Sequence, residues 1–197
     1  MKQKKKKSDI AVPSVEELSG ELKRENYHHR YRKLLRSTVY TLVIVAAVSV
    51  LVATLLLPVL EIYGTSMNPT LEEGEIVFSV KTKEFKQGDI IAFYYNNRVL
   101  VKRVIGTAGD IIVIDDNGDV YVNNVLLDEP YLTEKSCGTS DLEYPYTVPE
   151  NSYFVLGDHR ESSVDSRNSL IGCVERDEAV GKILFRVWPV KRIGKIS

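Results

Sequence analysis

The sequence predicts a mostly β fold: an antiparallel β-sheet domain over residues 61–197, preceded by one transmembrane helix over residues 37–60. Three observations support this prediction. One long uncharged apolar run occurs early, short β-branched and aromatic runs follow it, and turn residues separate those runs. Residues 1–36 form a third region, a basic head. A composition of 44% hydrophobic and 27% charged residues over 197 residues is typical of a folded domain with an appendage.

The basic head differs in charge from the rest of the chain. Residues 1–36 contain 11 Lys and Arg and 5 Asp and Glu, a surplus of six positive charges. Subtraction from the totals of 26 and 27 leaves 15 basic and 22 acidic residues in 37–197, a net charge of −7. Because an apolar run follows directly, we interpret KQKKKK as an orienting, lipid-contacting segment and not as a nucleic-acid-binding patch.

The apolar run, STVYTLVIVAAVSVLVATLLLPVL, has 24 residues without a charge. As a helix at about 1.5 Å per residue it reaches about 36 Å, which exceeds a hydrocarbon core of about 30 Å. A cleaved secretory signal is the competing interpretation. The head is too long for one, however, and LPVLEIYG lacks a small-x-small cleavage site. The run is therefore predicted to be an uncleaved anchor.

The flanks of the anchor predict its orientation. Residues 61–80 contain four glutamates and no lysine or arginine, whereas eleven cations precede the anchor. The positive-inside rule then leaves the head in the cytoplasm and residues 61–197 outside.

Seven runs after the anchor have the composition and alternation of β-strands. They are EIVFSV (75–80), DIIAFYY (89–95), RVLVKRVIG (98–106), DIIVID (110–115), DVYVNN (119–124), SYFVLGD (152–158) and GKILFRVW (181–188). The turn signals EEG, NN and DNGD lie between them. Many strands at short spacing, with little helix between them, predict an antiparallel arrangement.

Ser66 lies in GTSMNPT, just after the anchor. Ser, Asn, Gly and Pro are ordinary turn residues, so this segment alone does not indicate chemistry. A serine nucleophile needs a base to take its proton. His28 and His29 lie in the head, and Asp158, as the immediate neighbour of His159, is poorly arranged to orient that imidazole in a triad. One histidine outside the membrane also offers no HExxH zinc pair.

A neutral lysine is the other candidate base. An ordinary lysine has a pKa near 10.4, and burial lowers this value by several units. In VLVKRVI, period-2 alternation places Leu100, Lys102 and Val104 on one face, so Lys102 has apolar neighbours. Arg103 cannot serve, because a guanidinium stays protonated. On the strand pattern alone, an edge-strand lysine that extends to solvent is the competing interpretation.

Three separated stretches resemble, in order and spacing, the signature boxes of type I signal peptidases. These are bacterial leader peptidases, membrane-anchored Ser-Lys proteases that remove signal peptides from exported proteins. The stretches are GTSMNPTL, VKRVIGTAGD and GDHRESSVDSR, and KQGDIIAF and GKILFRVWPVKRIG agree with them. The resemblance covers residues 58–194, and the single span is similar to the Gram-positive form. It implies a β-sheet catalytic domain of signal-peptidase type on a bacterial plasma membrane, cleaving after small-x-small.

By position, the resemblance makes Ser66 the nucleophile, Lys102 the general base and Ser163 the hydroxyl that orients the lysine amine. It also implies structural roles near the site for a further set of residues. These are Met67, Pro69, Asp158, Asp165 and Arg167, of which the last two match an ion pair.

The chain departs from the family pattern at several positions. Many members carry a serine two residues before the nucleophile, where this chain has Gly64. The oxyanion group is therefore predicted to be the main-chain N–H of Ser66, with Gly64 and Thr65 beside it. His159 stands where asparagine is common, and Glu161-Ser162 replaces a commoner Asp-Asn.

The resemblance implies signal-peptide-bearing preproteins and the lipid bilayer as partners, with the secretion machinery as a further candidate. It implies no cofactor, metal or nucleic acid. Two other classes stay open. A non-catalytic anchored β domain that binds cell-envelope partners does not need Ser66 close to Lys102. A self-cleaving repressor-like protease needs a soluble DNA-binding head, and the predicted span argues against one. Whether Cys137 and Cys173 form a disulfide is left open by the sequence.

Overall fold

The computed structural model describes residues 14–56 and 58–196. The first part of the predicted head, including KQKKKK, and Leu57 of the predicted anchor lie outside the described residues. The chain divides into two compact units, one ending at Val52 and one beginning at Ala53, and each is described by itself.

The described part of the first unit is formed by one helix, α1, which spans Val15–Leu56 and so continues past the boundary at Val52. Within it, Leu18–Val52 has the length and composition of a membrane span, with a mean hydropathy of 2.0 and none of that window buried. An apolar helix surface without protein cover is expected to be covered by lipid. The helix begins well before the predicted anchor at residue 37, because the polar segment before the anchor is also helical.

The helix ends earlier than the predicted anchor does. Pro58 follows the helix end, and its ring removes the backbone donor that a further helical turn needs. Val59 and Leu60, both predicted to lie in the anchor, instead form a short strand that pairs with Phe78 and Val77.

The second unit, as far as the structure describes it, contains twelve short strands. In chain order they are β1 (Val59–Glu61), β2 (Ile76–Val80), β3 (Ile90–Tyr95), β4 (Arg98–Thr107), β5 (Ile111–Ile114), β6 (Val120–Val122), β7 (Val125–Leu126), β8 (Tyr146–Thr147), β9 (Ser152–Leu156), β10 (Val174–Glu175), β11 (Ala179–Trp188) and β12 (Gly194–Lys195). A 3₁₀ turn, Val190–Arg192, follows β11. The predicted fold class, mostly antiparallel β behind one N-terminal apolar helix, is confirmed.

The strands form two antiparallel sheets. The larger sheet has the order β1-β2-β11-β3-β4-β9-β10, and β12 pairs with β11. The smaller sheet has the order β7-β6-β5-β8. Strand β11, near the end of the chain, lies between β2 and β3 and therefore joins two parts of the larger sheet that do not pair with each other.

The β3–β4 hairpin fixes the position of Lys102. Asn96 and Asn97 connect the two strands with positive φ values of 43° and 62°, the conformation that a tight hairpin turn requires. The resulting register places Lys102 opposite Ile91, a fully buried residue of β3. A shift by one residue would turn the lysine to the other face of the sheet.

A hydrophobic cluster lies beneath the segment that follows β1. Met67 and Leu71 are buried there, at 2% and 0% exposure. They pack with Ile62, which follows β1, and with side chains from strands of the larger sheet, namely Val77, Ile90, Ala92 and Ile183. Each buried side chain of this size contributes about 1.5–3 kcal/mol relative to an exposed one. This burial fixes the segment that carries Ser66.

Candidate active site

Residues 64–71, here called the Ser66 turn, link β1 to the approach to β2. The turn begins with Gly64 at φ +81°, a conformation that side chains disfavour. Met67 and Leu71 anchor it in the core, and the N–H of Leu71 donates to the carbonyl of Met67 at 2.9 Å. Ser66 itself is half-buried, so its hydroxyl stays within reach of a substrate.

Lys102 lies against this turn. Its Nζ is 2.6 Å from Ser66 Oγ, in hydrogen-bond contact, although 36 residues separate the two in sequence. The side chain comes from β4, and the residue is only 4% exposed. The strand pattern left an edge-strand lysine extending to solvent as an alternative, and the burial of Lys102 excludes it.

Burial controls the protonation of this amine. It lowers the pKa of Lys102 from 10.5 to about 8, while the carboxylates of Asp165 and Asp158 act in the opposite direction and Arg167 adds to the lowering. At a pKa of about 8, roughly one amine in ten is neutral at pH 7. A neutral amine in contact with a hydroxyl can accept its proton, which is the requirement for a general base.

The segment that follows β9 packs closely on the Ser66 turn. The N–H of His159 donates to the carbonyl of Ser66 at 3.0 Å. A Cβ at Gly157 would lie 2.5 Å from that carbonyl oxygen and 2.2 Å from Ser163 Oγ. Only glycine therefore fits at position 157 without a shift of the surrounding atoms.

Ser163 is 7% exposed and lies beside Gly157. Its main-chain N–H donates to the carbonyl of His159 at 3.1 Å. Its Oγ, however, is buried and has no hydrogen-bond partner among the described residues. The hydrogen bond from Ser163 to the Lys102 amine, expected from the resemblance, is thus not formed in this structure.

Asp158 forms a buried ion pair that the sequence analysis missed. Arg103 Nε and Nη2 lie 2.9 and 2.8 Å from its two carboxylate oxygens, and Thr70 Oγ1 donates to the same carboxylate at 2.5 Å. The Arg103 guanidinium also lies 3.8 Å from the centroid of the Tyr131 ring. This network ties the strand of Lys102 to the Ser66 turn.

Asp165 and Arg167 form the ion pair that the family resemblance implied. Arg167 Nε and Nη2 lie 2.8 and 2.9 Å from the two carboxylate oxygens, and both residues are fully buried. Asp165 also accepts from the N–H of Gly157 at 3.0 Å, and Arg167 Nη1 donates to the carbonyl of Cys137 at 2.9 Å. The pair therefore holds the segment that packs on Ser66.

A further buried pair, Arg160 with Glu129, was not predicted. Arg160 Nη1 lies 3.3 Å from Glu129 Oε2, and Arg160 Nε donates to the carbonyl of Gly157 at 3.1 Å. Glu129 comes from the irregular region between β7 and β8, where no periodic pattern marks a buried residue. The only signal in the sequence was that Arg160 falls inside the third signature box.

The predicted oxyanion group is the main-chain N–H of Ser66, with Gly64 and Thr65 beside it. The main-chain N–H of Ser66 donates to no described residue, so it is free to bind a substrate oxygen. A Cβ built at Gly64 meets nothing within 4 Å. Thr65 is exposed, and its carbonyl accepts from the N–H of Asn68 at 3.0 Å. Pro69 is exposed on the same turn.

His159 is engaged away from the Ser66 hydroxyl. Its Nδ1 lies 2.8 Å from the hydroxyl of Ser162, which is exposed. Asp158, its sequence neighbour, is occupied by Arg103 and Thr70. The structure thus does not assemble the Ser-His-Asp arrangement.

Cys137 and Cys173 are free thiols, the first exposed and the second half-buried. In the part of the chain that the structure describes, no group of three or more His, Cys, Asp and Glu side chains could hold a metal ion.

A cavity of about 770 Å³ is lined by residues such as Phe85 and Tyr153 and contains none of the predicted site residues. A smaller cleft of about 220 Å³ is lined in part by Asp158 and His159, but neither Ser66 nor Lys102 lines it.

A serine in contact with a buried lysine, on an antiparallel β domain behind an apolar helix, is the arrangement of a membrane-anchored serine peptidase. Comparison with known proteins agrees. The family model for signal peptidase, peptidase S26, matches residues 35–188. The chain therefore belongs to the peptidase S26 family of signal peptidases.

Individual relatives cover most of the chain. Signal peptidase I of Bacillus licheniformis is 36% identical in an alignment of length 171 that covers 80% of this chain and 90% of that protein. Signal peptidase IB of Staphylococcus aureus strain Mu50 is 38% identical in an alignment of length 148 that covers 65% of this chain and 76% of that protein. A crystal structure of signal peptidase I from Enterococcus faecalis V583 is 32% identical and covers 52% of this chain and 98% of that one, with a TM-score of 0.42.

Proposed function

We propose that this protein is a membrane-bound serine endopeptidase that cleaves N-terminal signal peptides from exported preproteins, with Ser66 as the nucleophile and Lys102 as the general base. The observation that carries the proposal is the 2.6 Å contact between Lys102 Nζ and Ser66 Oγ, made by a lysine that is only 4% exposed. Membership of the signal peptidase family supports the reaction. A non-catalytic domain would have no need to bury a cation against a serine hydroxyl.

The first step is proton transfer from serine to lysine. While Lys102 is protonated, its Nζ donates to Ser66 Oγ; once the amine is neutral, the hydroxyl donates to Nζ instead. As Oγ attacks the carbonyl carbon of the scissile bond, its proton passes to Nζ. The charge that develops on the substrate oxygen lies near the free main-chain N–H of Ser66, the oxyanion donor in this proposal.

The second half of the reaction returns the proton. The Lys102 ammonium donates to the leaving amine as the peptide bond breaks, which leaves an acyl group on Ser66 and a neutral lysine. That neutral amine then takes a proton from a water molecule that attacks the acyl carbonyl. Breakdown of this second tetrahedral intermediate releases the signal peptide and regenerates the serine hydroxyl.

The groups around the dyad support this assignment. Asp158 with Arg103 and Asp165 with Arg167 are buried ion pairs that fix the geometry around the dyad. Ser163 lies at the site with an unpaired hydroxyl, and we assign it the role of orienting the neutral lysine amine during the reaction.

The substrate in this proposal is an extended peptide with small residues at the first and third positions before the cut. The partners are preproteins, the lipid bilayer that holds α1, and the secretion machinery that delivers the preprotein. The charge difference across the span supports a single-pass orientation with residues 1–36 in the cytoplasm and residues 61–197 outside the bacterial plasma membrane.

Incubation of detergent-solubilised protein with a preprotein tests the proposal. The wild type should release a mature protein whose new N-terminus follows a small-x-small motif, and Ser66→Ala should release none. Ser162→Ala is the matched control, since that serine is exposed and contacts His159. Cleavage by Ser66→Ala at the wild-type rate, or no cleavage by the wild type, would refute the proposal.

A further inference from the structure

Two arginines near the end of the chain contact the Ser66 turn. Arg186 lies on β11, and Arg192 closes the 3₁₀ turn that follows it. Both contact the carboxylate of Glu75, which lies after the Ser66 turn and directly before β2. We call Glu75, Arg186 and Arg192 the arginine clamp. None of the three belongs to the signature boxes that carry Ser66, Lys102 and Ser163.

The two arginines of the clamp donate hydrogen bonds to main-chain carbonyls of the Ser66 turn. Arg186 Nη2 lies 2.5 Å from the carbonyl oxygen of Thr70, and Arg192 Nη2 lies 3.5 Å from that of Pro69. These carbonyls come just after Ser66 in the chain. The hydroxyl of the same Thr70 donates to Asp158, so the turn is held at Thr70 from two sides.

The carboxylate of Glu75 holds the two arginines in place. Its side chain is 3% exposed, and Arg186 Nε and Arg192 Nη1 lie 2.8 and 2.9 Å from its two oxygens. These contacts are ion pairs by distance and not hydrogen bonds by geometry, since neither carboxylate oxygen, nor Arg186 Nε, has a hydrogen-bond partner among the described residues. The two guanidinium groups therefore supply the compensation that a buried charge requires. Arg192 also contacts Glu72 at 2.6 Å, on the exposed side.

We infer that Arg186 is a positioning residue for Ser66, acting through the carbonyl of Thr70, and that Glu75 and Arg192 keep it in that position. The inference rests on the proposed function. A reacting group displaced by about 1 Å can lose about 100-fold in rate. Met67 and Leu71 fix the apolar side of the turn by packing, whereas the clamp fixes its polar backbone. The clamp thus sets the distance from Ser66 Oγ to Lys102 Nζ without touching either atom.

Arg186→Gln and Arg186→Lys test the inference in the preprotein assay. Glutamine removes the charge and the forked donor, so kcat should fall by about 10- to 100-fold with little change in KM. Lysine keeps the charge near Glu75 but cannot contact Glu75 and Thr70 in the same way, so an intermediate loss is expected. The midpoint of the pH–rate profile should stay at its wild-type value, because burial and the charges of Asp165, Asp158 and Arg167 set the pKa of Lys102, and the clamp is not among them.

The matched control is Arg176→Gln, which removes an arginine whose partner, Glu84, is 87% exposed. It should keep the wild-type kcat. Each variant is compared at a temperature well below its own Tm, so that loss of folded protein does not enter kcat. If Arg186→Gln does not fold, Arg186→Lys and Arg192→Gln provide the test. The side chain of Arg192 is 35% exposed, so its replacement is expected to disturb folding less.

The outcomes separate the inference from the proposed function. If the folded Arg186 variants have a lowered Tm but the wild-type kcat, the clamp is purely structural and the inference is overturned. The proposed function is still supported in that case, provided that the wild type cleaves the preprotein and Ser66→Ala does not. A shifted pH midpoint would place the effect on Lys102 and also overturn it. A wild type that does not cleave overturns both.

Discussion

Lys102 illustrates how one residue combines a cost in stability with a chemical use. Keeping a lysine at 4% exposure removes its ammonium from water, and this loss of hydration lowers the pKa to about 8. The same burial that destabilises the charged form makes the neutral form available near neutral pH. Ser66 is the hydrogen-bond partner of the amine, so the amine contacts the group it is proposed to deprotonate.

Substitutions of Lys102 test the identity of the base. Lys102→Ala and Lys102→Arg should each lower kcat/KM by at least about 100-fold, because neither residue can accept a proton at neutral pH. His159→Ala should keep most of the activity, since its ring contacts Ser162. Preprotein cleavage by purified variants measures the effect. An active Lys102→Arg together with an inactive His159→Ala would refute the Ser-Lys dyad.

The pH dependence of the reaction follows from the lowered pKa. Since the proposed base works when neutral, the fraction of active enzyme rises as pH increases through the folded pKa of about 8. The value of kcat/KM should therefore increase about tenfold per pH unit below pH 7 and level off above about pH 9. Measurement from pH 6 to 10 provides the check. A profile that is flat with chemistry rate-limiting, or one that falls through pH 8, contradicts this role for Lys102.

Ser163 gives a test in which stability and catalysis should move differently. Its Oγ is buried without a partner in this structure, so Ser163→Ala should be neutral or slightly stabilising for folding. If the hydroxyl orients the amine during the reaction, the same change should lower kcat by about 5- to 150-fold, equivalent to about 1–3 kcal/mol. Ser163→Thr should lose less if the methyl group fits, and Ser162→Ala should be nearly silent. If Ser162→Ala lowers kcat and Ser163→Ala does not, the orienting role belongs to Ser162 and the proposal for Ser163 is wrong.

At the scale of elements, the site depends on how closely the end of β9 approaches the Ser66 turn. Gly157 follows β9 directly, and its backbone lies against the carbonyl of Ser66 and the side chain of Ser163. The N–H of His159 adds a hydrogen bond across the same contact. The sheet thus brings three separate segments together through main-chain contacts as much as through side chains.

Gly157→Ala should damage both stability and activity. Its Cβ would lie 2.2 Å from Ser163 Oγ and 2.5 Å from the Ser66 carbonyl, so the two segments must separate. Overpacking of this kind costs about 1–3 kcal/mol. Gly194→Ala is the matched control, because a Cβ there meets nothing within 4 Å. Thermal unfolding and preprotein cleavage of both variants measure the effect, and a Gly157→Ala enzyme with wild-type Tm and kcat would show that the approach is not required.

The strands that could be predicted from the sequence are those with enough residues to show a period. Strands β2 to β6, β9 and β11 were all predicted within one or two residues of their limits, because alternation and turn signals mark them. The two-residue strands β7, β8, β10 and β12 contain no period and were missed. The early helix end was missed too, because an apolar run does not distinguish a helix from a short strand after Pro58.

In the candidate site, too, some residues could be predicted from the sequence and others could not. Ser66, Lys102 and Ser163 followed from sequence boxes that match a known family. The partners of the buried charges did not, because Arg103 with Asp158 and Arg160 with Glu129 are separated by long stretches of chain. Pairing of this kind depends on tertiary contacts that no local pattern records.

At the scale of the whole molecule, the chain combines an apolar helix with a β unit of opposite charge balance. The first 36 residues carry a surplus of positive charge, and the remainder carries a deficit. The signal peptidase family model matches residues 35–188, which include part of the helix and most of the β unit. The proposed orientation places the two charge types on opposite sides of the membrane.

Labelling of Cys137 tests that orientation. Its thiol is exposed, whereas Cys173 is half-buried and burial raises the pKa of its thiol, so Cys137 should react first. A membrane-impermeant maleimide should label the protein in intact protoplasts, and Cys137→Ser should remove the rapid labelling. Labelling that appears only after the membrane is permeabilised would place the β unit in the cytoplasm.

The central position of β11 has a consequence for the timing of activity. The Ser66 turn follows β1 and leads to β2, Lys102 lies on β4, and these parts of the sheet are joined through β11, which the ribosome makes last among them. A growing chain that lacks residues 179–188 can form the β3–β4 hairpin and the β1–β2 pair, but it lacks the strand that pairs with both of them. The proposed nucleophile and its proposed base are therefore not held in one sheet until β11 has been made. A nascent chain without β11 is consequently expected to be inactive toward preproteins.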